Sequence, residues 1–273
     1  MFFELHTHSC YSKGKKIPCE GLARPEEIIR RAKKIGLSGI AITDHETTEA
    51  WKTASKEAKK QGIIFIPAVE LQTKSGHLIA LGITEPVENF LSVEESIESI
   101  HEAGGIAVAP HPFDIRGQGI GNFAFKTDAV EIFNSLNIDK ISNRFVLSKF
   151  KNSEIPKVVG SDAHTLDMIG HSLNIMDADD VDSVLKNIKK GRVVFETEYI
   201  RMDDVINWAR GRLRRSQKEV LEYMNSHYSF PKAWLYRKLL KKFLRTGNAP
   251  WIMLAEISLN ASRIYGILKI LSY

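Results

Sequence analysis

Short apolar runs that stop at a histidine or a carboxylate recur along this 273-residue chain, and they constrain its fold more than any other feature. Phe2-Phe3-Glu4-Leu5-His6-Thr7-His8 is the first. Residues two apart on a strand share one face, so this run predicts a strand on which His6 and His8 can grip one cation. Gly39-Ile40-Ala41-Ile42-Thr43-Asp44-His45 and Ile63-Ile64-Phe65-Ile66-Pro67-Ala68-Val69-Glu70 each put a candidate ligand at a strand's C-terminal end. Gly76-His77-Leu78-Ile79-Ala80-Leu81-Gly82 begins with its histidine. Ile106-Ala107-Val108-Ala109-Pro110-His111-Pro112 closes around His111, and Lys157-Val158-Val159-Gly160-Ser161-Asp162-Ala163-His164 closes on two candidates. Six of the nine histidines fall into this pattern. In barrels of parallel strands, chemistry gathers at the C-terminal strand ends.

Helical stretches separate the runs. Pro25 suits a first helical position and Gly36 a stop, with Ile28, Ile29, Ala32 and Ile35 as the buried stripe. Further helices are predicted over Thr48 to Gln61, from Ser92 (with Glu95 three residues on, a capping box) to Ala103, over Asp139 to Phe150, and over Val181 to Lys190. Ala129 to Asn134 and Val193 to Phe195 read as further strands. The parallel runs number about six or seven, fewer than the eight of a regular barrel, and periodicity alone fits either an α/β barrel or an open doubly wound sheet. From about Met202 strand signals stop and helical stretches follow, divided near Ser229-Phe230-Pro231 and Gly247-Asn248-Ala249-Pro250. Two units are therefore expected, residues 1–201 and a helical extension over 202–273.

With 43% hydrophobic residues, the chain has the composition of a soluble globular protein. The candidate metal site begins by residue 6, which leaves no room for a cleaved secretory signal. Cys10 and Cys19 match neither a disulfide framework nor zinc-finger spacing, and a reducing cytoplasm is the expected setting. Residues 1–200 carry 24 Lys and Arg against 28 Asp and Glu, whereas residues 201–273 carry 14 against 5. So basic a tail suits an anionic partner: nucleic acid, a membrane surface or an acidic substrate. Trp251 to Tyr273 is apolar, but Glu256, Asn260, Arg263 and Lys269 interrupt it, so no transmembrane span is expected.

In their order, His6-Thr7-His8-Ser9, Thr43-Asp44-His45, Val69-Glu70, Gly76-His77-x-x-Ala80-Leu81-Gly82, Ala109-Pro110-His111-Pro112 and Gly160-Ser161-Asp162-Ala163-His164 resemble the motifs of the PHP (polymerase and histidinol phosphatase) family. The resemblance spans roughly residues 1 to 200. It implies a distorted seven-stranded β/α, TIM-like barrel and a metal-dependent phosphoesterase. It also implies that His6, His8, Glu70 and Asp162 hold one ion, that Glu70 bridges to a second ion held by His77 and His111, and that His45 and His164 bind a third. The family usually continues its H-x-H-S with an Asp or His that completes the third site. Here Cys10-Tyr11-Ser12-Lys13-Gly14-Lys15-Lys16 follows, and no acid or imidazole occurs before Glu20. Either Glu20 reaches in from a longer loop, or Lys13 supplies positive charge in place of the third ion.

Imidazoles with carboxylates suit two or three ions of Mn, Fe or Zn better than Mg, which prefers oxygen ligands. Two such ions would activate a bridging water and neutralise a phosphoryl group in flight. The substrate is then a small phosphorylated molecule or a nucleotide. His164 is a candidate proton donor to the leaving oxygen, and Arg116 a fork for phosphate oxygens. Asp44 is placed to orient a ligand or cap a strand end, and His171 to contact substrate, while His101 and His227 read as surface residues. Three alternatives remain. One is a nuclease of the same fold using the basic tail and its aromatics Trp234, Tyr236 and Phe243. The others are a non-catalytic PHP scaffold and an amidohydrolase, which also uses H-x-H.

Overall fold

The computed structural model describes residues 1–14 and 17–270, with side chains described to residue 266. Lys15, Lys16, the side chain of Lys269 and the end of the Trp251–Tyr273 segment lie outside the described residues. Nine strands occur among the described residues: β1 (Phe2–Glu4), β2 (Gly39–Ile42), β3 (Ile64–Gln72), β4 (His77–Leu81), β5 (Ile106–Ala109), β6 (Ala129–Asn134), β7 (Lys157–Gly160), β8 (Ser172–Ile175) and β9 (Val194–Thr197). They form one sheet ordered β7-β6-β5-β4-β3-β2-β1-β8-β9. Helices α1 (Pro25–Lys34), α2 (Trp51–Gln61), α3 (Val93–Glu102), α4 (Ile141–Lys149) and α5 (Val181–Lys189) alternate with the strands. Ser92 and Glu95 make the expected reciprocal cap on α3.

The first seven strands close on themselves. Beyond β1 and β7 the chain pairs in parallel at Thr7 and Ala163, where His8 N donates to Ala163 O at 2.8 Å. Lower down, an amide side chain substitutes for backbone pairing: Asn174 of β8 accepts from Val159 N at 3.0 Å and donates to Val159 O at 2.7 Å. The outcome is the distorted seven-stranded TIM-like barrel, with β8 and β9 as an antiparallel extension beside β1. Two details depart from the strand reading. β4 runs antiparallel to both β3 and β5, so its first residue, His77, arrives at the same barrel end as the last residues of its neighbours. β8 escapes an apolar pattern because its inward residues, Ser172 and Asn174, are polar and fully buried.

Inside the barrel, Leu5, Ile79, Leu81, Val108 and Val158 fill the lower half, and Val184, Leu185 and Ile188 of α5 close the bottom. The upper half is polar. Helices α6 (Met202–Arg215), α7 (Gln217–His227), α8 (Phe230–Arg245) and α9 (Ala249–Ile270) follow, starting where strand signals end in the sequence. The first of them does not stand apart: Ile206 is buried, and Leu22 fits against Gly211, where a Cβ would sit 2.3 Å from Leu22 Cδ1. Arg263 of α9 donates to Asp139 O at 3.0 Å, tying the last helix to the start of α4. No helix among the described residues is long and apolar enough to cross a membrane.

Candidate metal centre

Glu70 is the hub of the polar barrel end. Its Oε2 lies 3.3 Å from the Nε2 atoms of both His6 and His8 and 3.4 Å from His45 Nδ1. Its Oε1 lies 2.8 Å from His77 Nδ1 and 3.2 Å from His111 Nε2. Asp162 Oδ1 adds contacts of 3.6 Å to His6 Nε2, 3.3 Å to His8 Nε2 and 3.6 Å to His164 Nδ1. All eight ligands expected from the sequence thus meet at one end of the barrel. Seven are buried and His45 is partly buried. Their donor atoms fall into four overlapping trios: His6, His8 and Glu70; His6, His111 and Asp162; His8, Asp162 and His164; and His45, Glu70 and His77. His45 therefore shares a trio with Glu70 and His77, while His164 groups with His8 and Asp162.

This arrangement has a structural cost that a bound cation would offset. His8 Nε2, His77 Nδ1 and His111 Nδ1 are buried without a hydrogen-bond partner. For His8 and His77 a carboxylate oxygen lies within 3.3 Å, but not in hydrogen-bond geometry. An orphaned buried polar atom costs about 1–3 kcal/mol. Among the described residues, only His6 Nε2 and His111 Nε2 meet Glu70 in hydrogen-bond geometry, at 3.3 and 3.2 Å; the other imidazole nitrogens and carboxylate oxygens converge unbonded, which fits shared divalent ions, and the mixed N/O set fits borderline transition metals. Backbone strain collects here too. His111 (φ 29°) and Asp162 (φ 53°) sit in the left-handed region that non-glycine residues avoid.

The charges are balanced internally. Burial works to lower the His8 pKa, but the carboxylates of Asp162 and Glu70, each 3.3 Å from its Nε2, outweigh it and lift it to about 10. His6 is likewise raised against its burial by Asp162, Glu131 and Glu70. Burial pushes His45 down to about 3 despite Glu70, and pushes His164 well below the usual imidazole range, with the charge of His8 adding to it. Glu70 and Asp162 are held well below the carboxylate range: burial opposes this, and the surrounding imidazoles overcome it.

A second layer fixes the ring orientations. Glu131, inside β6, accepts from His6 Nδ1 at 2.9 Å with one oxygen, and from His111 N at 2.8 Å and Asn134 Nδ2 at 2.9 Å with the other. Ser12 Oγ bonds His8 Nδ1 at 3.1 Å and accepts from His45 N at 3.2 Å. The Asp44 carboxylate accepts from Ser9 N and Ser9 Oγ, so it pins the turn after His8, and the Asp44 backbone oxygen accepts from Glu70 N at 3.2 Å. Glu131 was not picked out in the sequence, although a carboxylate flanked by Val130 and Ile132 is a visible anomaly.

The centre opens into a cleft of about 730 Å³ whose lining includes Lys13, His45, Lys74, His77, Arg116 and Arg212. Lys13 is exposed on the wall. Arg116 uses Nε to bond Asp114 Oδ2 at 2.9 Å, which leaves its two terminal nitrogens for a ligand. Glu20, not Lys13, enters the imidazole cluster: it is 3.3 Å from His45 Nε2 and 3.9 Å from His164 Nε2. His101 pairs with Asp128 on the surface, and His227 stacks on Tyr223. His171 bonds Met168 O and does not line the cleft, and Cys10 and Cys19 are free thiols outside the donor trios.

Residues 4–133 match the PHP domain and residues 140–193 the PHP-associated domain. Over 153 residues the chain is 37% identical to an uncharacterized protein of Methanocaldococcus jannaschii, covering 54% of this chain and 89% of that one. It is 33% identical over 89 residues to the 5'-3' exoribonuclease Rnm of Salmonella typhimurium, which is 30% of this chain and 28% of the relative. The fold resembles that of a two-domain protein from Bacteroides vulgatus containing a predicted PHP-like metal-dependent phosphoesterase. The TM-score is 0.59 at 14% identity, covering 77% of this chain and 69% of the other. Motif order, barrel and site agree with these matches: the chain belongs to the PHP family.

Proposed function

We propose that the protein is a phosphoesterase that uses two or three Mn, Fe or Zn ions to hydrolyse a phosphomonoester or a nucleotide. One observation carries this: a single buried carboxylate, Glu70, is surrounded by five imidazoles at the floor of a cation-lined cleft. Bound divalent ions would supply an activated water and neutralise charge on the phosphoryl group. His6, His8, Glu70 and Asp162 are the residues to hold one ion, and His77 and His111 extend the Glu70 bridge to another. Arg116, Lys13 and Lys74 bind and orient the phosphate oxygens. His164 acts as a ligand in this reading, not as the acid. Its Nδ1 donates to Asp162 O at 2.8 Å and burial keeps the ring neutral, so Nε2 carries no proton to give.

Four cations on the cleft wall, Lys13, Lys74, Arg116 and Arg212, exceed what one phosphate requires and support a second reading, a nuclease for single strands. Helix α8 has six Lys and Arg and no acid, with Trp234 half exposed, and would hold the strand outside the cleft. Purified protein loaded in turn with Mn, Fe or Zn, and assayed on phosphomonoesters, nucleotides and 5'-phosphorylated single strands, separates these readings. Turnover of small esters with no effect of Lys238→Glu/Lys242→Glu on oligonucleotide binding removes the nuclease reading. No hydrolysis with any metal removes both and leaves a non-catalytic role.

A further inference from the structure

The stretch after His8 lacks a nearby acid, yet Glu20 reaches the cluster, and the residues that bring it there lie almost 200 positions away. Glu20 N donates to Ser12 O at 3.3 Å, and Lys13 and Cys19 pair antiparallel. Helix α6 then holds the returning strand. Trp208 Nε1 donates to Glu20 O at 2.8 Å, Arg212 Nε donates to Cys19 O at 2.9 Å, and Ser216 Oγ, just past the helix end, accepts from Cys19 N at 3.0 Å. Residues 208, 212 and 216 are spaced four apart, so one stripe of the helix makes all three bonds.

The same stripe touches the centre itself. The Trp208 ring lies 4.4 Å from the ring of His164 and 4.8 Å from the Arg212 guanidinium. Arg212 Nη2 is 3.7 Å from Glu20 Oε1 and braces that side of the carboxylate. The other oxygen, Oε2, is buried with no hydrogen-bond donor and points toward His45 Nε2 at 3.3 Å. A carboxylate braced on one side and unpartnered on the other, between two imidazoles, has the disposition of a metal ligand. Both regions that match the family end before α6 begins.

We propose that α6 is part of the metal centre: the Trp208–Arg212–Ser216 stripe positions Glu20 as the oxygen donor, beside His45 and His164, for a third divalent cation. Arg212 is a positioning residue here. The inference rests on the reading of the cluster as a polynuclear metal site, and it makes the third ion depend on a helix outside the matched domains.

Metal counting on the full chain tests it. Apoprotein is titrated with Co²⁺ and Mn²⁺, with heat and visible absorption as readouts, and retained metal is counted by mass spectrometry after gel filtration. The parent chain is expected to take up three equivalents. Glu20→Gln should keep two and lose the third, whereas Glu20→Asp should keep three with the last one weakened. Arg212→Met and Arg212→Lys should weaken only the third equivalent, by about 10–100-fold, since a lysine cannot span the carbonyl and carboxylate that the guanidinium reaches. Trp fluorescence and thermal unfolding report whether each variant is folded. A parent with two equivalents, or Glu20→Gln with an unchanged third, overturns the proposal and leaves a two-ion phosphoesterase intact. An unchanged third equivalent in folded Arg212→Met overturns the role of α6. A parent that binds no metal overturns the functional reading as well.

Discussion

Replacing Glu131 by glutamine changes one oxygen to an NH2 group in a residue that is 3% exposed, and its consequence follows from the donors around it. Both carboxylate oxygens accept. Oε1 takes the proton of His6 Nδ1, and Oε2 takes those of His111 N and Asn134 Nδ2. An amide can serve only one side. If its NH2 turns to His6, the imidazole proton must move to Nε2, the atom aimed at Glu70, and that nitrogen no longer has a lone pair for a metal. If its NH2 turns the other way, His111 N loses its acceptor, and with it a bond that holds the residue at φ 29°, while Asn134 Nδ2 keeps only Asp162 Oδ2 at 3.3 Å.

Either arrangement should lower metal affinity by about 10–100-fold, or roughly 1.4–2.8 kcal/mol. The metal-free protein should lose about 1–3 kcal/mol of stability from the mismatched donor. Competition with a chromophoric chelator measures the first quantity, and urea unfolding in EDTA the second. Affinity within threefold of the parent, with unfolding unchanged, would refute the claim that Glu131 sets the His6 tautomer.

Three further outcomes are expected. Glu70→Gln removes the charge that five imidazoles share, so activity should fall by more than the roughly 100-fold that a supporting residue costs, and retained activity in the assay would remove Glu70 as the bridge. Asn174→Ala breaks the side-chain seam between β7 and β8, leaves Val159 N and O without their partner, and should cost about 2–4 kcal/mol in urea unfolding while sparing metal affinity. In EDTA, stability should decline as pH rises above about 6.5, where folded His8 (about 10) and His6, also raised, retain protons that the unfolded chain has released. Metal should abolish the alkaline decline by taking the place of those protons; melting curves from pH 5 to 9 that rise steadily in EDTA would contradict the assignment.

What could be read in the sequence and what could not divide along a physical line. A ligand at a strand end announces itself because the run before it is apolar and the period is two, so His6, His8, His45, Glu70, His111 and Asp162 stood out one strand at a time. Strand direction leaves no such trace. His77 could be seen as the first residue of its run, but only the antiparallel pairing of β4 explains how a strand's beginning reaches the end where its neighbours finish. The supports are harder still, because they join residues far apart: His6 to Glu131 across 125 positions and Glu20 to Trp208 across 188. Gly160 shows why local pattern is silent on them. A Cβ there would lie 2.0 Å from Glu131 Oε1 and 2.7 Å from His6 Cβ, so the glycine that reads as the end of a strand is the space that lets β6 deliver a carboxylate to β1. Its reason for being glycine lies on two other strands. Residues that hold a metal are therefore written into the local period, whereas residues that hold the ligands are written into pairings that exist only after the barrel has closed.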